Sequence, residues 1–233
     1  MKLSVIIPVY NEKDNLIGIL EKVENANIGK IGKEIILVDD FSTDGSRELL
    51  KEIARKKRHT LILHNRNLGK GCAIRNGLKK ATGEMILIQD SDLEYNPEDY
   101  GALIKPVKAG HKVVYGSRFL GERKFSNKGG YFSHSLGNRI LTFFTNLMFF
   151  SNLTDMETCY KLIKRDVILA ILPLKSKKFE FEPEVTAKIL KKGFKIIEVP
   201  IHYNPRSSKE GKKIKWKDGV QALFTLIRYR FFN

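Results

Sequence analysis

The stretch EMILIQDSDLEYNPEDY, residues 84–100, begins as a buried strand and ends as an acidic turn. Met85, Ile86, Leu87 and Ile88 make a short unbroken apolar run, the pattern of a strand covered on both faces. Asp90, Asp92 and Glu94 come next, at alternate positions. In an extended segment alternate side chains share a face, so these three carboxylates are expected to converge on one point. Carboxylates that close repel one another. A hard divalent ion such as Mg²⁺ or Mn²⁺ relieves the repulsion and shares its shell with substrate phosphates. A plainer reading stands beside it, that these are turn and cap residues ahead of PEDY (97–100), where Asp and Asn are common. Asp-x-Asp alone does not choose between the two.

Outward from this stretch, strands and helices alternate. LSVIIPVY (3–10) is a buried strand, followed by NEKDNLIGILEKVENA, in which Leu16, Ile17, Ile19, Leu20 and Val23 fall on one helical face. Asn11 with Asp14 three residues on resembles a helix cap. KEIILVDD (33–40) is a second strand. STDGSRELLKEIARKKR is a capped helix with Leu49, Leu50, Ile53 and Ala54 inward. TLILH (60–64) is a third strand, and GKGCAIRNGLKKA starts glycine-rich and continues as a helix. This alternation predicts a doubly wound sheet of parallel strands, whose ligands bind beyond the strands' carboxyl ends. Those ends carry PVYNE, VDDFSTDGS, HNRNLGKG and QDSDLE.

The second half is less regular. HKVVYGSR (111–118) reads as a strand, SHSLGNRILTFFTNLMFF (133–150) has a helical period, and CYKLIKRDVILAILP suggests a strand then a short helix. EPEVTAKILKKG is a helix stopped by Gly193, and FKIIEVPIHY a strand. The tail is basic and then amphipathic. No repeat or low-complexity linker interrupts the chain, so one domain with a mobile C-terminal elaboration is expected.

Two of the strand ends suggest a phosphate ligand. Lys70 lies between Gly69 and Gly71 at a helix start, where backbone N–H groups and the helix dipole favour anions. The spacing is not that of a Walker A loop, and a plain glycine turn with a solvated lysine reads equally well. Arg118 ends another strand, where it can grip a phosphate with two N–H groups or form a surface salt bridge.

Composition bounds the rest. The chain has 233 residues, 42% hydrophobic and 29% charged, enough for a real core and unlike a disordered chain. Cys72 and Cys159 have no metal or redox spacing, which points to a reducing compartment. No signal-peptide pattern and no apolar run of about 18 or more residues appears, so nothing is expected to span a bilayer. Lys and Arg outnumber Asp and Glu by 42 to 26, a net charge of +16 that attracts nucleic acid, anionic lipid or phosphorylated substrates. Against nucleic acid, no helix concentrates Lys and Arg with base-reading side chains and no aromatic RNA-binding signature is present. A dinucleotide-dependent dehydrogenase is weaker still, since no G-x-G-x-x-G comes after the first strand.

Taken together, VIIPVYNEKDNL, ILVDDFSTDGS, NLGKGCAIRNG, ILIQDSDLEYNPED, VVYGSRFLG, LGNRILTFFTNL, LTDMETCYKLIKR, FEFEPEVTAKILKKG and EVPIHYNPRSSKEGKKIKW cover nearly the whole chain. In that order they resemble the inverting glycosyltransferases of family 2. The closest resemblance is to the dolichol-phosphate mannose and glucose synthases and related polyprenyl-phosphate sugar transferases. The resemblance implies a GT-A fold: an α/β, Rossmann-like, mixed but mostly parallel sheet flanked by helices, with C-terminal acceptor and interfacial helices. Residues 1–118 would form the nucleotide-sugar half and 119–233 the acceptor half. Pro8, Tyr10, Glu12 and Asp39 would line the base and ribose pocket, which Asp40 and Lys70 help to shape. Asp90 and Asp92 match the family's Asp-x-Asp, with Asp92 the strongest metal ligand. Glu94 stands where related synthases have a Gln that also reaches the metal, so its carboxylate is a departure bearing on metal preference. Arg118, Arg139 and Arg206 would grip phosphates, including that of a lipid acceptor. Asp155 matches the position of the family's catalytic Asp.

The implied reaction moves a sugar, with inversion, from a nucleoside diphosphate such as GDP-mannose or UDP-glucose to a polyprenyl phosphate, aided by Mg²⁺ or Mn²⁺. A phosphate acceptor is ionised already near neutral pH and needs no base, whereas a hydroxyl acceptor does. No histidine is well placed for that work, His64, His111, His134 and His202 falling at strand ends or on helix surfaces. If the acceptor is a carbohydrate hydroxyl, Asp155 is the base; otherwise it orients the acceptor phosphate or a neighbouring Arg. Because polyprenyl phosphate lies in a bilayer, peripheral attachment to the cytoplasmic face of the membrane is expected. ILTFFTNLMFF (140–150) and VQALFTLIRYRFF (220–232), with Trp216, Arg228 and Arg230, are the candidate interfacial segments. The loop GERKFSNKGGYF (121–132) reads as a mobile acceptor loop.

Overall fold

The structure is a computed structural model that describes residues 1–120, 131–206 and 216–232. The expected acceptor loop therefore lies, in its residues 121–130, outside the described residues, as does most of the basic tail segment. The described chain runs β1 (Lys2–Val9), α1 (Lys13–Asn25), β2 (Gly32–Asp39), α2 (Ser46–Lys57), β3 (Thr60–Leu63), α3 (Lys70–Leu78) and β4 (Met85–Ile88). It continues with α4 (Tyr100–Lys108), β5 (Val113–Ser117), α5 (Tyr131–Phe149), β6 (Lys161–Lys164), α6 (Arg165–Ala170), α7 (Phe181–Lys191), β7 (Ile196–Pro200) and α8 (Trp216–Phe231).

Seven strands form one sheet in the order β3-β2-β1-β4-β6-β5-β7. Every neighbouring pair is parallel except the two that involve β6, which runs against β4 and β5. The expected mixed, mostly parallel sheet is thus observed. Its central strands are apolar on both faces because helices cover both. Leu3, Val5, Ile6, Ile7 and Val9 of β1 and the whole MILI run of β4 are buried. Each such side chain contributes about 1.5–3 kcal/mol over its exposed state. The order reverses between β1 and β4, so the chain segments leaving those two strands open a crevice at the sheet's carboxyl edge. That crevice receives Asn11 and Glu12 from one side and Asp90 to Glu94 from the other.

Three local expectations are corrected. Ile17 lies off the buried stripe of α1 and is 52% exposed, while Leu16, Ile19, Leu20 and Val23 are inside. The Asn11–Asp14 cap does not form. Asn11 adopts φ 51° and uses Oδ1 to accept from Thr43 N, while Lys13 N donates to Asp44 Oδ2 at 3.0 Å. The loop after β2 therefore closes the first turn of α1, a partner that sequence neighbours do not supply. The C-terminal elaboration, expected to be mobile, is in its described part the helix α8. It packs Ala222, Leu226 and Tyr229 inward, with Leu226 and Tyr229 against Phe149 and Met156, and Tyr229 Oη donates to Glu184 Oε1 at 2.8 Å.

Candidate active site

Strand β4 ends at Ile88, and the chain beyond it does not stay extended. Leu93 adopts φ 61°, a left-handed turn that swings Glu94 away from the line of Asp90 and Asp92. The expected convergence of three carboxylates is therefore absent, and among the described residues no group of three or more His, Cys, Asp or Glu side chains surrounds one point. Asp90 is instead paired with Lys70, while Asp92 and Glu94 share Arg206 with Glu12. Lys70 Nζ lies 2.8 Å from Asp90 Oδ1 and 3.1 Å from Glu182 Oε1. Arg206 Nη2 donates to Asp92 Oδ2 at 2.9 Å, and Arg206 Nη1 to Glu12 Oε2 at 3.1 Å. Glu94 accepts from Tyr203 Oη at 2.7 Å through Oε2 and from Arg206 N at 3.0 Å through Oε1.

The charge balance is uneven. Burial, with the Asp90 and Glu94 carboxylates beside it, pushes the Asp92 carboxyl up to about 7. Burial works the same way on Asp90, but Lys70 outweighs it and holds that carboxyl below its ordinary value. The donor set fits a hard divalent ion. Asp90 and Asp92 supply two carboxylates in a site that disfavours an unneutralised Asp92, and a diphosphate can supply the remaining oxygens.

Lys70 is positioned by backbone geometry. Gly69 has φ 93° and ψ 158°, a conformation essentially restricted to glycine, and a Cβ there would collide with the carbonyl of Lys177. Asp40 shapes the same turn, accepting from Leu68 N and Gly69 N at 2.7 Å each and contacting His64 Nδ1 at 2.7 Å. Asp39, fully buried, pairs with Arg47 Nε at 2.6 Å and accepts from Ser42 N. Pro8 ends up inside β1, Tyr10 is 37% exposed and Glu12 is buried.

A second cluster forms after β5. Asp155 has no exposure and takes three bonds from Arg118: Nε at 2.7 Å, Nη2 at 2.8 Å and the backbone N at 2.9 Å. Asn138 Nδ2 donates to Asp155 at 2.8 Å. Burial opposes the charge on Asp155, but Arg118 more than offsets it and holds the carboxyl below its usual range. Asp155 is therefore engaged in orienting Arg118, whose guanidinium also lies 5.1 Å from the Tyr203 ring centre. Arg139, on the exposed side of α5, shares the Phe119 ring with Arg118: the two guanidiniums lie 5.3 Å and 5.9 Å from its centre. Of the histidines, His64 is buried in the Asp40 network, whereas His202 is exposed and bonded to Asp99.

Several residues escape a reading of the sequence. Arg47, Asn138, Glu157, Glu182 and Tyr203 carry no motif of their own; all but Arg47 stand inside segments that carry the family resemblance, but nothing in those segments singles them out. Glu157 Oε1, Thr158 Oγ1 and Glu182 Oε2 are buried without a hydrogen-bond partner. Orphaned buried oxygens are costly, so they suit a ligand rich in hydroxyl groups.

Comparison with known proteins bears on the family and the fold. Residues 4–172 match Glycosyl transferase family 2. A dolichol-phosphate mannosyltransferase of Pyrococcus furiosus is 30% identical over 217 residues, covering 91% of this chain and 59% of that protein. An undecaprenyl-phosphate 4-deoxy-4-formamido-L-arabinose transferase of Pectobacterium atrosepticum is 43% identical over 116 residues, 48% of this chain and 35% of that one. The chain thus spans a little over half of the first relative and about a third of the second. Among solved structures, glucosyl-3-phosphoglycerate synthase of Mycobacterium tuberculosis, in complex with Mn²⁺, UDP and phosphoglyceric acid, superposes with a TM-score of 0.74 at 17% identity. That match covers all of this chain and 79% of the synthase. At such identity the likeness speaks for the fold, which is GT-A. Because the family match runs from β1 through the Arg118–Asp155 pair and beyond β6, the chain belongs to glycosyl transferase family 2.

Proposed function

We propose that the protein transfers a hexose from a nucleoside-diphosphate sugar to a polyprenyl phosphate at a membrane surface, with inversion at the anomeric carbon and with Mg²⁺ or Mn²⁺ as cofactor. Residues 1–118 hold the donor's nucleotide, and the remainder holds the acceptor while reaching the donor's sugar and diphosphate. The observation that carries this reading is the state of Asp155. By the family resemblance it matches the position of the base a hydroxyl acceptor needs, yet it is buried and bonded three times to Arg118. An acceptor that arrives ionised needs a cation rather than a base, and the Asp155-braced Arg118 provides one. The relatives named for dolichol phosphate and undecaprenyl phosphate support the same acceptor class.

The donor's base and ribose lie against Tyr10, Glu12 and the Asp39–Asp40 corner. Its diphosphate lies over the start of α3, where Lys70 donates to it. Asp92 and Asp90, with Glu94 in reserve, would hold a divalent ion, which would supply positive charge against the negative charge that builds on the leaving diphosphate. Lys70 adds positive charge beside that group, and Arg206 stands next to it on the crevice carboxylates. The unpaired oxygens of Glu157, Thr158 and Glu182 accept from sugar hydroxyls. Arg118, with Arg139 over the same Phe119 ring, holds the acceptor phosphate so that its oxygen faces the anomeric carbon from the side opposite the leaving group.

Membrane attachment rests on two helix faces. Leu136, Ile140, Phe143, Leu147 and Phe150 are exposed at intervals of three and four residues, and so are Val220, Phe224, Ile227 and Phe231. Helix α5 contains no Asp or Glu, and α8 carries Arg228 and Arg230 in its last turn. No helix among the described residues is long and apolar enough to cross a membrane. These faces suit the interface of an anionic bilayer, where each well-placed Lys or Arg adds on the order of 1 kcal/mol.

A hydroxyl acceptor is the second reading, and Glu157 favours it. Its carboxyl is pushed up to about 8 by burial and the adjacent Glu182, in the range of a working base. One assay separates the two. Purified protein is incubated with a panel of nucleotide sugars, Mg²⁺ or Mn²⁺ and a short polyprenyl phosphate, and products are followed by mass spectrometry. A polyprenyl-phosphate sugar from one donor, lost on addition of EDTA, is the expected result. Donor hydrolysis with no lipid product would overturn the acceptor assignment.

A further inference from the structure

We propose that Arg206 is the resident counter-ion of the carboxylates at the crevice, and that it competes with the divalent cation for them. The inference rests on the metal-dependent function proposed for this crevice and deepens it. Cation entry then becomes the event that frees this guanidinium for the phosphates.

Glu12 leaves β1 and Asp92 and Glu94 leave β4, so they face one another across the crevice where the strand order reverses. The Arg206 guanidinium lies between them, with Nη1 3.1 Å from Glu12, Nη2 2.9 Å from Asp92 and Nε 3.5 Å from Glu94. The arm that brings it there is itself held at Glu94. Asn204 N donates to the Glu94 carbonyl at 2.8 Å, and Tyr203 Oη and Arg206 N take both carboxylate oxygens. Asp92 and Glu94 therefore have two uses: they anchor the arm and its arginine, and with Asp90 they are the carboxylates a divalent ion would take.

Both uses cannot be satisfied fully together. A metal ion sits about 2.1 Å from a carboxylate oxygen, inside the position of a guanidinium nitrogen at 2.9 Å from the same atom, and two cations on one carboxylate repel. The present grip is also incomplete, because buried Nε has no hydrogen-bond partner. One positive charge serves three acids here, where a divalent ion brings two. Exchange leaves Arg206, with its rigid fork of donors, next to the diphosphate position. By reciprocity, a diphosphate that draws Arg206 away strengthens metal binding, and the metal strengthens diphosphate binding by the same factor.

The test measures binding of Mn²⁺ by electron paramagnetic resonance, without nucleotide, to the wild type, Arg206→Gln and Arg206→Lys. Arg206→Gln is expected to bind Mn²⁺ more tightly, by roughly 5- to 150-fold, the usual span of a coupling between two sites. Arg206→Lys, which keeps the charge, stays nearer the wild type. Saturating UDP or GDP should narrow the difference, since the nucleotide draws the wild-type arginine off the carboxylates. Equal or weaker Mn²⁺ binding by Arg206→Gln would overturn the counter-ion role while leaving the metal reading in place. Failure of every protein to bind Mn²⁺, with or without nucleotide, would overturn both. Melting curves guard against a folding artefact: in EDTA the Gln variant melts below the wild type, and Mn²⁺ raises its midpoint by more. A smaller rise than in the wild type would count against the proposal.

Discussion

At the residue scale, the two acids singled out by motif have opposite environments. Asp92 is a frustrated carboxylate, pushed up to about 7 by burial and by its acidic neighbours. Its charge does not stabilise the empty site, so Asp92→Asn should leave the melting temperature within a few degrees of wild type while abolishing transfer. Transfer at the wild-type rate would remove Asp92 from the metal site. Asp155 is the reverse, a charge whose loss strands Arg118. Breaking a buried pair of this kind costs about 3–5 kcal/mol, so Asp155→Asn should lower the urea midpoint markedly. A loss below about 1 kcal/mol would mean that Asp155 does not hold Arg118 in solution.

At the element scale, α5 and α8 each carry two apolar stripes. The inner ones, including Phe149, Leu226 and Tyr229, pack together and against Ala187 of α7. The outer ones remain exposed, with Phe143 at 62% and Phe224 at 68%. A helix apolar on two sides needs a second apolar environment, and the sequence period alone does not say which stripe is inside. Changing Phe143 and Phe224 together to Ser removes outer surface without touching the inner packing. The double variant is expected to keep its fold, yet to lose at least about tenfold in binding to vesicles containing anionic lipid. Binding equal to the wild type would assign these faces to another partner. Transfer to a short, water-soluble prenyl phosphate should be unchanged in the variant, which separates membrane attachment from acceptor chemistry.

At the scale of the whole molecule, buried acids away from any helix cap set a pH dependence. The Glu157 carboxyl, pushed up to about 8 by burial and by Glu182, holds its proton more tightly folded than unfolded. Its contribution to stability is complete below about 4.5 and is lost as pH rises through about 8. In EDTA, the wild type should therefore lose melting temperature between pH 5 and 8 relative to Glu157→Gln. A constant difference between the two proteins would mean that the fold does not hold the Glu157 proton. The elements of this fold were legible because they are local: the apolar runs of β1 and β4 and the 3.6-residue stripes of the helices are written in neighbouring residues. So was the polar chemistry at the strand ends, since Asp90, Asp92, Lys70 and Arg118 each lie at or close to an element boundary. What tertiary structure decided was who neutralises whom. Arg206 meets Asp92 across 114 residues and Glu12 across 194, Arg118 meets Asp155 across 37, and Leu93 turns Glu94 out of the expected line. A charge finds its partner through space, and the packing of the sheet and its helices, not the spacing along the chain, sets that distance.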